Sequence, residues 1–229
     1  MYRASFAFFA VVISASLFFA GCAPAETDTA DASVIAGNAQ SSDPIEAIHR
    51  WRQWRDQRRY RLIEAHIDPD QRATFIDTLI CVDMFLEAND QVGRAVAEVI
   101  GDYRFEEWDL SIVAQSLGLF SEPIEIIRVD RDGERAVVVY QAADRLPLEN
   151  ADLRADPDGW VYLPGAGNAA LPAAFRGLAA TLSDIAVRIR SDSLNRDQIN
   201  REFRLRVWPR LMTALKLAQP LSEDAPAQN

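Results

Sequence analysis

Between residues 123 and 164 the hydrophobic period of this chain switches from helical to alternating, and then back. That switch restricts the folds open to it more than any other feature. Ile124–Asp130, the turn Arg131-Asp132-Gly133 and Glu134–Ala142 read as a hairpin with a tight, glycine-bearing turn. Leu146–Arg154, the turn Asp156-Pro157-Asp158-Gly159 and Trp160–Leu163 read as two further strands. On both sides the apolar residues recur at helical spacing. Leu171, Phe175, Leu178, Leu182, Ile185 and Ile189 step by four and three along one stripe. No internal repeat and no parallel β-α-β pattern occurs. The expectation is an α+β domain, mainly helical, with a small antiparallel β-meander (about 124–163) between N- and C-terminal helices.

Start signals sharpen the helical halves. Asp43-Pro44-Ile45-Glu46 offers a capping carboxylate, proline at the first helical position and a glutamate three residues after the cap. Asp68-Pro69-Asp70-Gln71 repeats that order, and Asn195-Arg196-Asp197-Gln198 follows it without proline, with Leu194 placed to staple onto Ile199. These signals predict helices over 44–66, 69–88, 91–101, 105–118, 170–191 and 196–218. Pro209 falls inside the last and is expected to kink it.

Composition narrows function before any motif does. The chain has 229 residues, with 24 basic against 34 acidic, for a net charge of −10. A general nucleic-acid binder needs a basic surface, so no nucleic-acid partner is expected. Two cysteines and two histidines are too few for a Cys/His zinc cage or a disulfide scaffold. No metal or other cofactor is implied.

The N-terminus carries an address. Arg3 is followed by the uncharged run Ala4–Ala20, then by Gly21-Cys22. A basic start, a short apolar run and small residues before a cut site describe an export signal. At a helical rise of 1.5 Å the run spans roughly 25 Å, short of a bilayer core, and Cys22–Asp43 contains no Lys or Arg to stop transfer. Phe19-Ala20-Gly21-Cys22 resembles the lipobox of bacterial lipoproteins, whose usual form is Leu-(Ala/Ser)-Gly-Cys; Phe19 is the departure. The resemblance implies a signal peptide over 1–21, acylation of Cys22 (including palmitate) and a mature chain beginning at that residue. Several acyl chains on one residue anchor stably, because each buried methylene contributes about 0.8 kcal/mol. Ala23 stands where an aspartate would retain such a protein at the inner membrane, so the resemblance implies the outer membrane, facing the periplasm.

Residues 22–42 continue as small, polar and acidic, the composition of a flexible tether, and 219–229 resembles them as a disordered tail. The single folded domain is therefore expected over 43–218. Loss of Arg3 with the leader leaves the mature chain at −11, and five of its acids (Glu26, Asp28, Asp31, Glu223 and Asp224) lie in the ends. The domain itself is then only −6, an ordinary soluble surface. If Cys22 is acylated, Cys81 has no partner in the chain, and its apolar setting in Phe75–Leu86 reads as a buried thiol.

Within the domain, the motifs that carry chemistry are weak. Gly165-Ala166-Gly167-Asn168-Ala169-Ala170 matches a relaxed dinucleotide fingerprint, but Pro164 breaks its entry and no parallel strand returns. A loop leading into a helix accounts for it. The strand–turn–Gly-Trp ending at Gly159-Trp160 resembles the last hairpin of NTF2-like domains, yet here helix follows where that family ends on strands. His49 and His66 have no ligand or nucleophile motif around them. Glu106-Glu107, Asp130 and Asp132 sit where helix starts and turns favour acids. No catalytic residue is assigned.

One stretch stands apart. From Arg50 to Arg61 there are six arginines in twelve residues, with Asp56 the only acid, interleaved with Trp51, Trp54 and Tyr60. At 100° per residue, Arg52, Arg55 and Arg59 fall in the same sector as Ile45, Ile48, Trp51, Leu62, Ile63 and His66. Cations on a buried stripe need a reason. They could pair with core acids, line a groove that binds an anion or partner through Trp51, Arg52, Arg55 and Arg59, or sit on a helix that breaks near residue 53. Asp83 bears on the first account. It projects into the apolar arc of the second helix between Ile76 and Leu79, so a buried ion pair is expected there. A bias of 23 arginines to one lysine, Lys216, tempers the information in any single arginine.

These readings converge on a membrane-anchored cell-envelope lipoprotein that binds or scaffolds an envelope protein, or an anionic lipid or polysaccharide, without catalysis. The alternative is a small-ligand or lipid carrier with an internal cavity. A hydrolase acting through carboxylates such as Asp83, Glu106 or Glu107 ranks below both.

Overall fold

A computed structural model of the chain describes residues 43–101, 117–121, 123–142, 147–165 and 167–218, all within one compact unit, Gln40–Asn229. The leader, the tether, the tail and residues 105–116 of the helix expected over 105–118 lie outside the described residues, and Leu117 and Gly118 belong to a 3₁₀ turn and its start. Helix α1 spans Pro44–Asp56, with Asp43 accepting the Ile45 N–H at 3.0 Å and Pro44 opening the helix. Helix α2 is Tyr60–Glu64 and helix α3 is Arg72–Ile100. A 3₁₀ turn at Gly118–Phe120 leads to β1 (Ile124–Asp132), β2 (Arg135–Ala142), β3 (Glu149–Asp156) and β4 (Gly159–Leu163). Helix α4 (Leu171–Arg190) follows, then α5 (Arg196–Glu202), a π turn at Phe203–Val207 and α6 (Trp208–Ala218). The fold is α+β, with an antiparallel meander in the order β1-β2-β3-β4 between helical segments.

The two hairpins use two-residue loops. Asp132 pairs with Arg135 around Gly133, whose φ of 58° suits the first central position of a II′ loop, and Asp156 pairs with Gly159 around Pro157-Asp158. Along β2 the residues Ala136, Val138, Tyr140 and Ala142 alternate into the core, as a half-buried strand requires. The β4 edge is covered by the segment after α2. Tyr162 donates its N–H to the His66 carbonyl at 2.8 Å and accepts from the Asp68 N–H at 2.9 Å, making a short parallel bridge at Ile67.

Helices α3 and α4 form the main helical pair and run in the same direction. Gln71 meets Gly167, Cys81 meets Arg176, and Glu98 meets Arg190. Phe175, Leu178, Leu182, Ile185 and Ile189 of the expected stripe are all fully buried. The described buried residues run from Ala47 to Ala214 and join α1, α3, the sheet and α4–α6 in one cluster. Cys81 is a free, buried thiol in that cluster. No helix among the described residues is long and apolar enough to cross a membrane.

Four expectations change on contact with the structure. The helix expected over 44–66 breaks at 57–59. Arg58 takes φ 57°, its N–H reaches the Arg55 carbonyl at 2.7 Å, and the Arg59 N–H reaches the Trp54 carbonyl at 2.8 Å. That is a Schellman end with arginine where glycine is favoured. The break rotates the following turn so that Ile63 and Ile67 are fully buried instead of Leu62 and His66. The helices expected over 69–88 and 91–101 are one helix, α3. Phe85, Ala88, Val92, Ala95 and Val96 carry a single buried stripe across the supposed gap, and Asp90 meets Arg94 at 2.7 Å on the outside. Asp68-Pro69 does not cap α3. Asp68 is drawn into the β4 bridge and faces Arg154 at 3.4 Å, so the helix starts three residues later. The helix expected over 196–218 is interrupted by the π turn, where the Trp208 N–H bonds the Phe203 carbonyl, five residues back, immediately before Pro209. By contrast, Asn195 and Gln198 form the expected capping box, at 3.0 and 2.8 Å.

Arg58 supplies a direct test of the break. A left-handed residue with a Cβ costs about 1–2 kcal/mol, and glycine returns roughly 0.5–1 kcal/mol of that as unfolded-chain entropy. Its exposed pair with Glu87 adds little. Arg58→Gly is therefore expected to raise the thermal midpoint slightly, and a clear drop in that midpoint would show that the arginine side chain, not its backbone, holds the turn.

Candidate functional site

The break between α1 and α2 faces the middle of α3, and an open groove of about 470 Å³ lies between them. Its floor is a buried ion pair. Arg55, 9% exposed, closes the last turn of α1, and Asp83, 16% exposed, projects from α3. The guanidinium fork meets the carboxylate through Nη2 at 2.5 Å and Nε at 3.1 and 3.3 Å. Its Nη1 donates to the Phe120 carbonyl, and the Tyr60 hydroxyl donates to Asp83 Oδ2 at 2.8 Å. Burial, reinforced by the Asp83 carboxylate, raises the Tyr60 phenol far above its ordinary range and keeps it a donor. Four groups from three separated stretches of the chain, 55–60, 83 and 120, thus satisfy one another at a single point.

Gly118 makes that convergence possible. It turns the chain at φ 61°, where a Cβ would stand 3.3 Å from both the Tyr140 and Tyr162 hydroxyl oxygens. The turn it opens presents the Phe120 carbonyl to Arg55 and the Leu119 carbonyl to Arg52, 3.5 Å from Arg52 Nη1.

The groove walls differ from its floor. Arg58 meets Glu87 at 3.0 Å and Arg94 meets Asp90 at 2.7 Å, all four side chains being well exposed. Hydrogen bonding to Glu87, with its charge, raises the Arg58 pKa further. Asp56 and Leu86 complete the lining. Such surface pairs contribute at most about 1 kcal/mol, so a ligand can exchange them for its own charges at low cost. The floor cannot rearrange as easily, because separating a buried pair strands a charge.

The sequence-derived candidates separate accordingly. Arg55 and Asp83 come together in the floor. Trp51 is 1% exposed, packed among core residues with its ring 5.9 Å from that of His66. It is corrected from a surface contact to a core side chain, since the buried face of α1 runs Ala47, Ile48, Trp51, Arg55. Arg52 is half-buried against Leu119, and Arg59 is exposed in the break, away from the apolar sector that an unbroken helix would give it. Arg58 and Tyr60 fall in the arginine–aromatic stretch with no role assigned to them there, and Glu87 and Arg94 were not singled out. Tyr60 enters only because the helix breaks before it, and the others lacked any sequence signal beyond charge.

The remaining titratable candidates offer no second centre. His49 is exposed, while His66 is half-buried, its Nδ1 3.1 Å from the Trp160 carbonyl; burial lowers its pKa and keeps the ring neutral at pH 7. Asp130 and Asp132 are exposed on β1, and Gly167 and Asn168 form the loop entering α4, where Asn168 accepts the Ala170 N–H at 3.0 Å. Glu106 and Glu107 lie outside the described residues. No group of three or more His, Cys, Asp or Glu side chains among the described residues could hold a metal ion. No protein-family model, curated protein or solved structure matches the chain.

Proposed function

We propose that the chain is a lipid-anchored protein of the bacterial cell envelope, facing the periplasm from the outer membrane, whose tethered α+β domain binds an envelope partner without catalysis. The observation that carries this reading is the order of segments: an export-type leader ending at Phe19-Ala20-Gly21-Cys22, a small acidic spacer, and a compact unit beginning at Gln40. A tether of that kind serves a domain that must reach a partner while remaining at a membrane.

The groove between α1, α2 and α3 supports a binding role. Exchangeable pairs at its walls (Arg58 with Glu87, Asp90 with Arg94) suit a partner bearing both charges, such as a polar peptide segment. A lining of charged groups and one phenol, with only Leu86 apolar, suits an acyl chain poorly, which ranks the carrier alternative lower. Asp83 is a poor general base because Arg55 and Tyr60 already occupy its lone pairs.

The test is metabolic labelling of cells producing the full chain with radioactive palmitate, followed by separation of the membranes. Label is expected in the protein and the protein in the outer-membrane fraction, with both lost in Cys22→Ala. Palmitate incorporation that survives Cys22→Ala overturns the anchor.

A further inference from the structure

The outward face of the C-terminal helical segment is apolar and cationic at once. Phe203, Val207, Leu211 and Ala214 point into the core. On the other side Leu205, Trp208 and Met212 are 64, 42 and 48% exposed. The segment is held in that orientation from beneath. Arg206 reaches Asp184 at 2.8 Å and Glu202 at 2.9 Å, while Arg188 reaches Glu202 at 3.1 Å, stitching the π turn to α4. The exposed face is therefore a fixed surface and not a loose end.

Its charge is the second observation. From Phe203 to Ala218 the sequence has Arg204, Arg206, Arg210 and Lys216 and not one acid, in a chain whose net charge is −10. Arg206 and Arg210 are engaged with α4, the latter through the Gly177 carbonyl at 3.4 Å and the Thr181 hydroxyl. Arg201, Arg204 and Lys216 are exposed and form no ion pair among the described residues. Half-exposed tryptophan beside leucine and methionine, flanked by unpaired cations, is the pattern of a helix that lies in a membrane interface.

We infer that the Leu205–Trp208–Met212 face docks on the anionic phospholipid headgroups of a bilayer. The aromatic and aliphatic groups would enter the headgroup region while Arg201, Arg204 and Lys216 meet lipid phosphates. This goes beyond the anchoring proposed above and does not depend on Cys22. If both hold, the acyl anchor supplies the local concentration and the helix sets the orientation of the domain.

The experiment uses the chain without its leader and Cys22, residues 23–229, and measures co-sedimentation with vesicles of pure phosphatidylcholine or of equal parts phosphatidylcholine and phosphatidylglycerol. Each cation near an anionic leaflet is worth about fivefold in affinity. Binding is expected to the phosphatidylglycerol vesicles, to fall by about 25-fold or more in Arg204→Glu with Lys216→Glu, and to weaken in 0.5 M NaCl (roughly a 4 Å screening length). Trp208→Ser with Leu205→Ser is expected to remove binding while leaving the thermal midpoint within a few degrees, since both side chains are exposed. Binding unchanged by either double variant, or absent from anionic vesicles, overturns the inference. So does a concentration-dependent dimer that Trp208→Ser abolishes, in place of vesicle binding, because the face would then cover a second copy. None of these outcomes alters palmitate labelling of the full chain, so the two proposals fail separately.

Discussion

Asp83→Leu is expected to destabilise the domain by about 3–5 kcal/mol, the cost of leaving a buried guanidinium without its carboxylate. The figure follows from the burial of Arg55 and from its orientation. Nε and Nη2 are committed to Asp83 and Nη1 to the Phe120 carbonyl, so the side chain cannot swing to water without breaking the last turn of α1 away from α3. Tyr60 loses its acceptor in the same variant, which adds to the loss. Urea denaturation read by circular dichroism measures the effect. Combining Asp83→Leu with Arg55→Met is expected to recover most of the stability, because apolar groups of similar size need no partners. A loss below about 1 kcal/mol in the single variant would place the pair with ordinary surface bridges. The groove gives an internal control: Glu87→Ala, which removes only the exposed partner of Arg58, is expected to change stability by no more than about 0.5 kcal/mol.

Trp51→Ala is expected to cost about 3–5 kcal/mol, through lost burial and the cavity left behind. For a domain of this size that corresponds to a fall of about 6–20 °C in the thermal midpoint. The indole lies among the fully buried side chains of the core and packs against the His66 ring, so α1 loses its contact with the turn after α2. The variant separates two roles for this tryptophan. A surface contact for a partner would leave the thermal midpoint unchanged and affect only binding, whereas a core side chain lowers the midpoint before any partner is added. For the same reason neither Trp51 nor Arg55 is a useful probe of partner binding. Arg94 and Glu87, exposed on the groove wall, are better ones.

Much of the fold was legible because its signals are local. The i, i+3, i+4 stripe from Leu171 to Ile189 produces α4 in almost any context that offers a core. Asn195 and Gln198 cap α5 with atoms three residues apart. Gly133 and Gly159 close hairpins whose strands alternate by themselves. Where signals were local but competed, tertiary packing decided. Asp68-Pro69-Asp70-Gln71 has the composition of a helix start, yet the open β4 edge claims the Asp68 N–H. Asn89-Asp90-Gln91 looked like a gap, yet the stripe that packs on α4 carries the helix through it.

The groove was legible only in part. Asp83 stood out because a carboxylate on an apolar arc demands a partner, and the arginines before it stood out because cations on a buried face do. That Arg55 in particular meets it, with Tyr60 and the Phe120 carbonyl, depends on a helix break at Arg58 and on a glycine turn at 118. The break shows in the sequence only as cations on the apolar sector, which placed it near residue 53, and the turn at 118 leaves no signal in spacing or charge. An arginine in the left-handed region has no compositional mark, and a backbone carbonyl has none at all.

By itself, then, the amino-acid order determined which segments are helical or extended, the antiparallel arrangement of the meander and the apolar stripe of α4. Each follows from period, capping and turn chemistry within a few residues. Only the tertiary structure decided where α1 ends, that α3 is continuous, which cation neutralises Asp83 and which face of the last helix remains exposed. Those outcomes are set by competition between contacts far apart in the chain, where burying Ile63 and Ile67 or satisfying one carboxylate outweighs a local preference worth about 1 kcal/mol.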